Sequence, residues 1–115
     1  LHMSWLDLAI EESNKPINVD VSEIRMGTDS VQVIPLSANE FQAIKADPDM
    51  RKLQNETDRN EYLGLRTVYE MLAKCDDSLS WGKFRELPIN LLGELATKVT
   101  DALGSPDGGG ELGKL

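Results

Sequence analysis

The sequence has few of the residues that build disulfides, metal sites and catalytic centres. Its one cysteine, Cys75, excludes a disulfide within the chain and favours a reducing compartment. Its one histidine, His2, lies in what looks like a cloning remnant, so residues 1–2 are excluded from the functional argument and Met3 is taken as the native start. A chain that begins at Met3 has no histidine, which excludes histidine-based triads and histidine-containing zinc sites.

Motifs that bind phosphate or present a nucleophile are also missing. No glycine pattern lies between a predicted strand and a helix, and no Gly-x-Ser-x-Gly motif is present. Asp47-Pro-Asp49 lacks the remaining oxygen ligands of a calcium loop. Some of the 20 carboxylates could lie at glycosidase spacing by chance, but nothing in the sequence indicates a cleft to hold them. We therefore expect no enzyme activity, no metal and no cofactor.

The charge is strongly acidic, with a net value of −8. A phosphate surface repels such a chain, so neither nucleic acid nor an anionic membrane is an expected partner. The charge has two open explanations, solubility or a partner with a basic surface. No run approaches the ~20 apolar residues of a membrane span, and no signal peptide is recognisable, so we expect a soluble cytoplasmic protein.

An amphipathic helix is predicted for residues 88–103. Apolar residues recur there at intervals of three and four, which forms one apolar stripe on a helix. Pro88 suits the first helical position, where its missing N–H needs no partner. Gly104 can adopt the left-handed conformation that ends many helices, so we expect it there.

A second long helix is predicted to begin at Thr57 or Asp58, either of which can cap the first turn. It ends near Cys75, whose place on the apolar face favours a buried core thiol over a nucleophile. Gly64 lies inside this helix and predicts close packing by a neighbouring element. Between the two helices, Ser78 or Ser80 could begin a short helical turn that directs aromatic side chains inward.

The N-terminal half begins with a predicted short helix, Trp5–Asn14, capped by Ser4 and ended by Lys15-Pro16. Its apolar ridges predict that one side docks on the rest of the domain. Alternating apolar residues then predict a β-hairpin over residues 17–34. A lone hairpin is marginally stable, so it must pack on the helices or pair with another subunit to form a homo-oligomer.

A capping box from Ser37 to Glu40 predicts a further short helix, which Asp47-Pro48 stops. Residues 47–57 are polar without periodicity and are predicted to be a mobile loop. The expected fold is therefore a single α+β domain over residues 3–104. It is mostly helical, with a short N-terminal helix, one β-hairpin and three to four further helices. The glycine-rich residues 105–115 are predicted to be a disordered tail.

Two stretches of the sequence resemble phage tail assembly chaperones. The run from Trp81 to Gly104, with Leu87-Pro88 before a leucine-rich amphipathic helix, is similar to the C-terminal part of that family. Residues 35–41, Pro-Leu-Ser-Ala-Asn-Glu-Phe, are similar to a helix start in the same family. The resemblance covers residues 31–104. The hairpin as a whole, and the helix before it, have no counterpart in that family.

The resemblance implies a non-catalytic role. Such chaperones are small cytoplasmic proteins of tailed phages and prophages that coat the tape-measure protein, recruit tail-tube subunits and leave before the virion is complete. The family often makes a longer form by ribosomal frameshifting, which only the nucleotide sequence could show here. The alternative is a small acidic interaction module, an immunity, antirestriction or regulatory protein that binds a basic partner protein.

A protein that shields a long apolar partner needs exposed apolar ridges on a soluble frame. The partner-binding candidates in this sequence are Trp81, Phe84, Leu87 and Leu91. The competing interpretation is that these four side chains close the core between the two long helices. The same choice exists for Tyr62 and Tyr69, for which a core position is favoured.

Overall fold

The computed structural model describes residues 4–104, which contain six helices and one antiparallel hairpin. The elements are α1 (Trp5–Ser13), β1 (Ile17–Asp20), β2 (Ser30–Val33), α2 (Ala38–Lys45), α3 (Pro48–Arg51), α4 (Glu56–Ala73), α5 (Trp81–Phe84) and α6 (Ile89–Leu103). This mostly helical α+β layout confirms the predicted fold class. The predicted tail, residues 105–115, lies outside the described residues.

The hairpin packs on the two long helices. Ile17 pairs with Val33 at its open end, and Asp20 pairs with Ser30 near its turn. β1 packs on α6 and β2 packs on α4, so the buried valines of the hairpin join the helical core. The hairpin therefore packs on the helices of its own chain, which is the first of the two predicted alternatives.

The two long helices supply most of the core, and their apolar faces are those predicted from the spacing. Both helix starts lie a few residues from the predicted positions. The side chain of Asn55 caps α4, accepting the N–H of Thr57 at 2.7 Å, so the predicted cap at Thr57 or Asp58 is wrong. α6 begins at Ile89, and Pro88 is its N-cap residue rather than its first helical residue.

Two glycine predictions are wrong. Gly104 ends α6 in an extended conformation, with φ −116° and ψ 135°, and its N–H still donates to the Thr100 carbonyl at 3.2 Å. A Cβ placed on Gly64 would meet no atom within 4 Å, so no neighbouring element packs closely there. Gly64 is an exposed position of α4, where glycine only weakens the helix.

The stretch predicted to be a mobile loop contains α3. Asp47 caps this turn by accepting the N–H of Asp49 at 2.8 Å, and Pro48 occupies the first turn. Met50 is buried and anchors the turn to the domain. The loop prediction is wrong because Met50 is the only buried apolar residue of α3 and cannot show a periodicity. An Asp-Pro pair ends one helix and can also start the next.

Candidate protein-interaction surfaces

α1 is a well-formed helix that contributes nothing to the core. The Ser4 hydroxyl accepts the N–H of Asp7 at 3.2 Å, and the Asp7 carboxylate accepts the N–H of Ser4 at 3.2 Å, which completes a capping box. No residue of α1 is buried. Its large apolar side chains are more than half exposed: Trp5 78%, Leu6 52%, Leu8 54% and Ile10 52%.

The predicted docking of α1 on the rest of the domain is therefore wrong. The amphipathic pattern specifies an apolar face but not what covers it. On a helix of nine residues, apolar side chains at positions 5, 6, 8, 9 and 10 cover about half of the circumference, a half that also contains Glu12. The acidic Asp7 and Glu11 lie on the other half. α1 is the most exposed apolar element of the described residues.

The corner around α5 is built on an aromatic cluster. Ser80 caps α5 by accepting the N–H of Lys83 at 3.2 Å. The Trp81 ring then lies 5.5 Å, between centroids, from each of Tyr62 and Tyr69, and 6.0 Å from Phe84. These spacings are those of favourable aromatic pairs. The predicted short helical turn is thus confirmed at Ser80.

Two guanidinium groups lie against the Trp81 ring. The Arg66 group lies 4.8 Å and the Arg85 group 5.4 Å from the Trp81 ring centroid. Cation–π contacts at a half-exposed site contribute about 0.5–1 kcal/mol each. Arg66 is also held by Glu70, which accepts its Nε–H at 2.8 Å. The indole is therefore held by both aromatic and cation–π contacts.

The four predicted partner-binding residues are not equally accessible. Phe84 is buried in the core. Trp81, Leu87 and Leu91 are half-buried and pack against that core. The structure brings Trp81, Phe84 and Leu87 together in and just after α5. Leu91 lies in the first turn of α6. Their partial burial suits the core interpretation, and partner binding by their exposed edges stays a prediction.

Two open grooves flank α5. The first, here called the main groove, has a volume of about 770 Å³ and is lined by Met26, Val31, Leu72, Cys75, Leu79 and Phe84. The second, the side groove, has about 360 Å³ and is lined by Tyr62, Leu65, Trp81, Leu87 and Ile89. Sequence reasoning missed both grooves, because grooves arise where distant elements meet and no local pattern encodes that meeting.

Two titratable groups in the grooves, the Tyr62 phenol and the Cys75 thiol, have raised pKa values. Burial raises the pKa of the Tyr62 phenol, and the nearby charge of Asp47 raises it further. The Tyr62 hydroxyl is buried and has no hydrogen-bond partner among residues 4–104. Burial also raises the pKa of the Cys75 thiol more than the charge of Lys74 lowers it. A protonated, half-buried thiol is a weak nucleophile.

Two searches of residues 4–104 bear on the kind of site. No group of three or more acidic, cysteine or histidine side chains in this part of the chain could hold a metal ion. No helix within the same residues is both long enough and apolar enough to cross a membrane. The chemistry that these surfaces offer is apolar and aromatic contact, bordered by charge.

Comparisons with protein families, curated proteins and solved structures give no match to this chain. The function must therefore be argued from these surfaces and from the sequence.

Proposed function

We propose that this protein is a non-catalytic assembly chaperone of a tailed phage or prophage. In the host cytoplasm it would bind the tape-measure protein and recruit tail-tube subunits. The proposal originates in the resemblance of residues 31–104 to tail assembly chaperones. The structural observation that supports it most is the exposed apolar face of α1, which lies outside that stretch.

A chaperone that covers a long helical partner must present apolar side chains before the partner arrives. Trp5, Leu8 and Ile10 meet this requirement because they are exposed on a helix that is already capped and formed. A helix of this kind can bind by laying its apolar face in a groove or along another helix. Tryptophan is also enriched among the residues that dominate binding energy.

The aromatic corner offers a second contact surface. Ile89 is 65% exposed at the start of α6, beside the half-buried Trp81 and Leu87 in the wall of the side groove. The Tyr62 ring also lines this groove, while its hydroxyl is buried behind the groove surface. The corner could thus contact a partner through its edges without unfolding.

The test is a pull-down from cells that co-express this protein with a tape-measure protein and a tail-tube protein from one phage genome. We expect retention of the tape-measure protein at both low and high salt, because apolar contact is not screened. Trp5→Ala and Leu8→Asp should each reduce that retention by at least tenfold. Glu11→Ala, on the opposite face of α1, is the matched control and should retain the partner.

The corner is tested in the same experiment. Trp81→Ala reduces retention if the corner contributes, and its thermal unfolding must be measured because Trp81 also packs on the core. Leu91→Asp tests the contribution of the first turn of α6 in the same way. If no variant changes retention, or if neither protein is retained at either salt concentration, the tail-assembly proposal is overturned.

The acidic charge supports the second candidate function, a small immunity, antirestriction or regulatory module that binds a basic partner protein. With a net charge of −8, long-range attraction to a basic surface would speed association and would fall steeply with salt. The two functions differ in one readout. Retention that disappears between low and high salt favours the acidic module, whereas salt-resistant retention favours the chaperone.

A further inference from the structure

This chain carries both an apolar helix without a partner and an apolar groove of matching character. The helix is α1, and the groove is the main groove beside β2 and α5. The groove has a volume of about 770 Å³ and is open to solvent. Its floor is apolar, with Leu72 and Phe84 buried in the core.

The path of the chain disfavours α1 filling the groove of its own molecule. α1 is joined to β1 by residues 14–16, which span at most about 10 Å, and Pro16 has a fixed φ. β1 begins at Ile17, at the open end of the hairpin. Among the described residues, the groove is lined by β2 and the hairpin turn but not by β1. α1 would have to turn back across both strands within three residues.

A second copy of the chain can supply the helix without this constraint. If the exposed apolar side chains of α1 were covered, the tryptophan would lose about 200 Å² and each aliphatic side chain about 100 Å² of accessible surface. The groove exposes less surface than the helix, so one docked helix buries about 700 Å² on both partners together, and a reciprocal exchange buries about 1,400 Å². This is the area of a standard specific interface.

Charged side chains at the main groove have opposite effects on the docking of α1. Lys83 lines the main groove and would attract the acidic α1, whereas Asp76 lines it too and would repel it. Hydrogen bonds from Ser78 hold the pKa of Asp76 below its ordinary value, so Asp76 is charged. Between two chains of charge −8 the long-range force is repulsive, so apolar contact must drive the association and salt must strengthen it.

We infer that this protein forms a symmetric dimer in which α1 of each copy lies in the main groove of the other. The two contacts are equivalent under a two-fold axis, which closes the assembly at two chains. This inference does not rest on the tail-assembly function, because it uses only surfaces of this chain. In the dimer the apolar face of α1 is covered, so a partner that binds this face must first displace α1 from the groove.

The single cysteine makes the test direct, since Cys75 lines the main groove. In Ala9→Cys the new thiol lies on the apolar face of α1, and mild oxidation should link it to Cys75 of the second copy. The product is a band at twice the 12.7 kDa of one chain on a non-reducing gel. The matched control, Glu11→Cys on the acidic face, should give at most a tenth of that product.

Each other outcome overturns the inference. A disulfide within one chain would show that α1 fills its own groove. A linked dimer that persists when Cys75→Ser is added to Ala9→Cys would show that two α1 helices pair with each other. If no link forms with Ala9→Cys, α1 does not reach the groove.

Sedimentation of the unmodified chain provides the second measurement. We expect a dimer at micromolar concentration, a monomer for Leu8→Asp, and a dissociation constant that falls at least tenfold between low and high salt. Leu79→Asp, at the exposed edge of the groove, should also be monomeric with an unchanged far-ultraviolet spectrum. A monomeric unmodified chain at all salt concentrations would overturn the inference even if cross-linking succeeds.

Discussion

Lys74 joins three separate parts of the chain through one ammonium group. It donates to the Pro35 carbonyl at 3.0 Å and to the Glu40 carboxylate at 2.7 Å. Glu40 also accepts the N–H of Ser37 at 2.8 Å. One carboxylate thus both completes the capping box of α2 and binds the end of α4, so these helices are held together by charge-assisted hydrogen bonds.

These contacts predict the direction of one pH effect. The hydrogen bond from Lys74, and then that from Ser37, lower the pKa of Glu40 below its ordinary value of 4.5. A lowered pKa in the folded state means that the stabilisation is present above the ordinary pKa and is lost as the pH falls through the folded pKa. Because Glu40 is partly exposed, the contribution is about 0.5–1 kcal/mol.

Lys74→Met tests this effect. We expect the pKa of Glu40 to rise towards its ordinary value, because its main hydrogen-bond donor is gone, and the free energy of unfolding to fall at neutral pH. The part of the difference that comes from Glu40 should vanish in acid, whereas the part that comes from the Lys74 hydrogen bond to the Pro35 carbonyl should remain. Nuclear magnetic resonance titration of the Glu40 carboxyl and urea unfolding at several pH values measure both quantities. A Glu40 titration that does not move would show that Lys74 is not its partner in solution.

At the scale of elements, α1 and α2 form a matched pair because both begin with a complete capping box. α2 packs on α4 and buries Ile44, whereas α1 buries no residue. The same cap therefore stabilises the whole domain in α2 and only a local helix in α1. Helices this short are marginal without tertiary packing, so α1 depends on its cap more than α2 does.

Two cap substitutions, Ser37→Ala and Ser4→Ala, distinguish stabilisation of the whole domain from stabilisation of a local helix. Loss of the cap in Ser37→Ala should lower the global free energy of unfolding by about 1 kcal/mol. Ser4→Ala should leave global unfolding of the monomer unchanged, within about 0.3 kcal/mol, and should increase amide hydrogen exchange in α1 alone. Urea unfolding at low protein concentration and hydrogen exchange measure the two effects. An equal loss of global stability in both variants would contradict the exposed position of α1.

The sequence predicted these elements as far as local rules reach. Spacing of three and four identified the long helices, alternation identified the hairpin, and the capping boxes at Ser4 and Ser37 were found where they occur. The predicted start of α4 was late because Asn55, another good cap, precedes Thr57 by two residues. α3 was missed because its only apolar anchor is Met50.

The candidate surfaces were predicted less well, for a physical reason. The proximity of Trp81 and Phe84 follows from their spacing of three residues on one helical turn. Their burial depends on Tyr62 and Tyr69, which come from another helix. In the same way, an apolar face on α1 follows from its sequence, but whether another element covers it depends on the path set by Pro16. Local patterns decide which side chains share a face, and tertiary contacts decide which faces remain open.

At the scale of the whole molecule, the net charge of −8 opposes compaction. The ion pairs in the described residues include exposed ones such as Lys15–Glu12, which contribute little. We expect the repulsion among the excess acidic groups to exceed the attraction within the ion pairs, and salt screens both. The protein should be more stable at moderate ionic strength than at very low ionic strength.

Thermal unfolding in increasing salt tests this balance. From about 0.01 M to about 0.15 M salt the Debye length falls from about 30 Å to about 8 Å. We expect the midpoint to rise by a few degrees, which corresponds to about 0.5–1 kcal/mol for a domain of this size. Two protein concentrations separate intramolecular screening from association. A midpoint that falls with salt would show that the ion pairs outweigh the net charge.

The two tryptophans occupy opposite environments. Trp5 is 78% exposed on α1, whereas Trp81 is enclosed by two tyrosines, a phenylalanine and two guanidinium groups. Their fluorescence therefore reports two different events in one spectrum. Emission from Trp5 shifts to shorter wavelength when anything covers α1, and emission from Trp81 shifts to longer wavelength when the core opens. With Trp5→Phe and Trp81→Phe to separate the signals, the chain carries its own optical probes of binding and of unfolding, and no dye has to be attached.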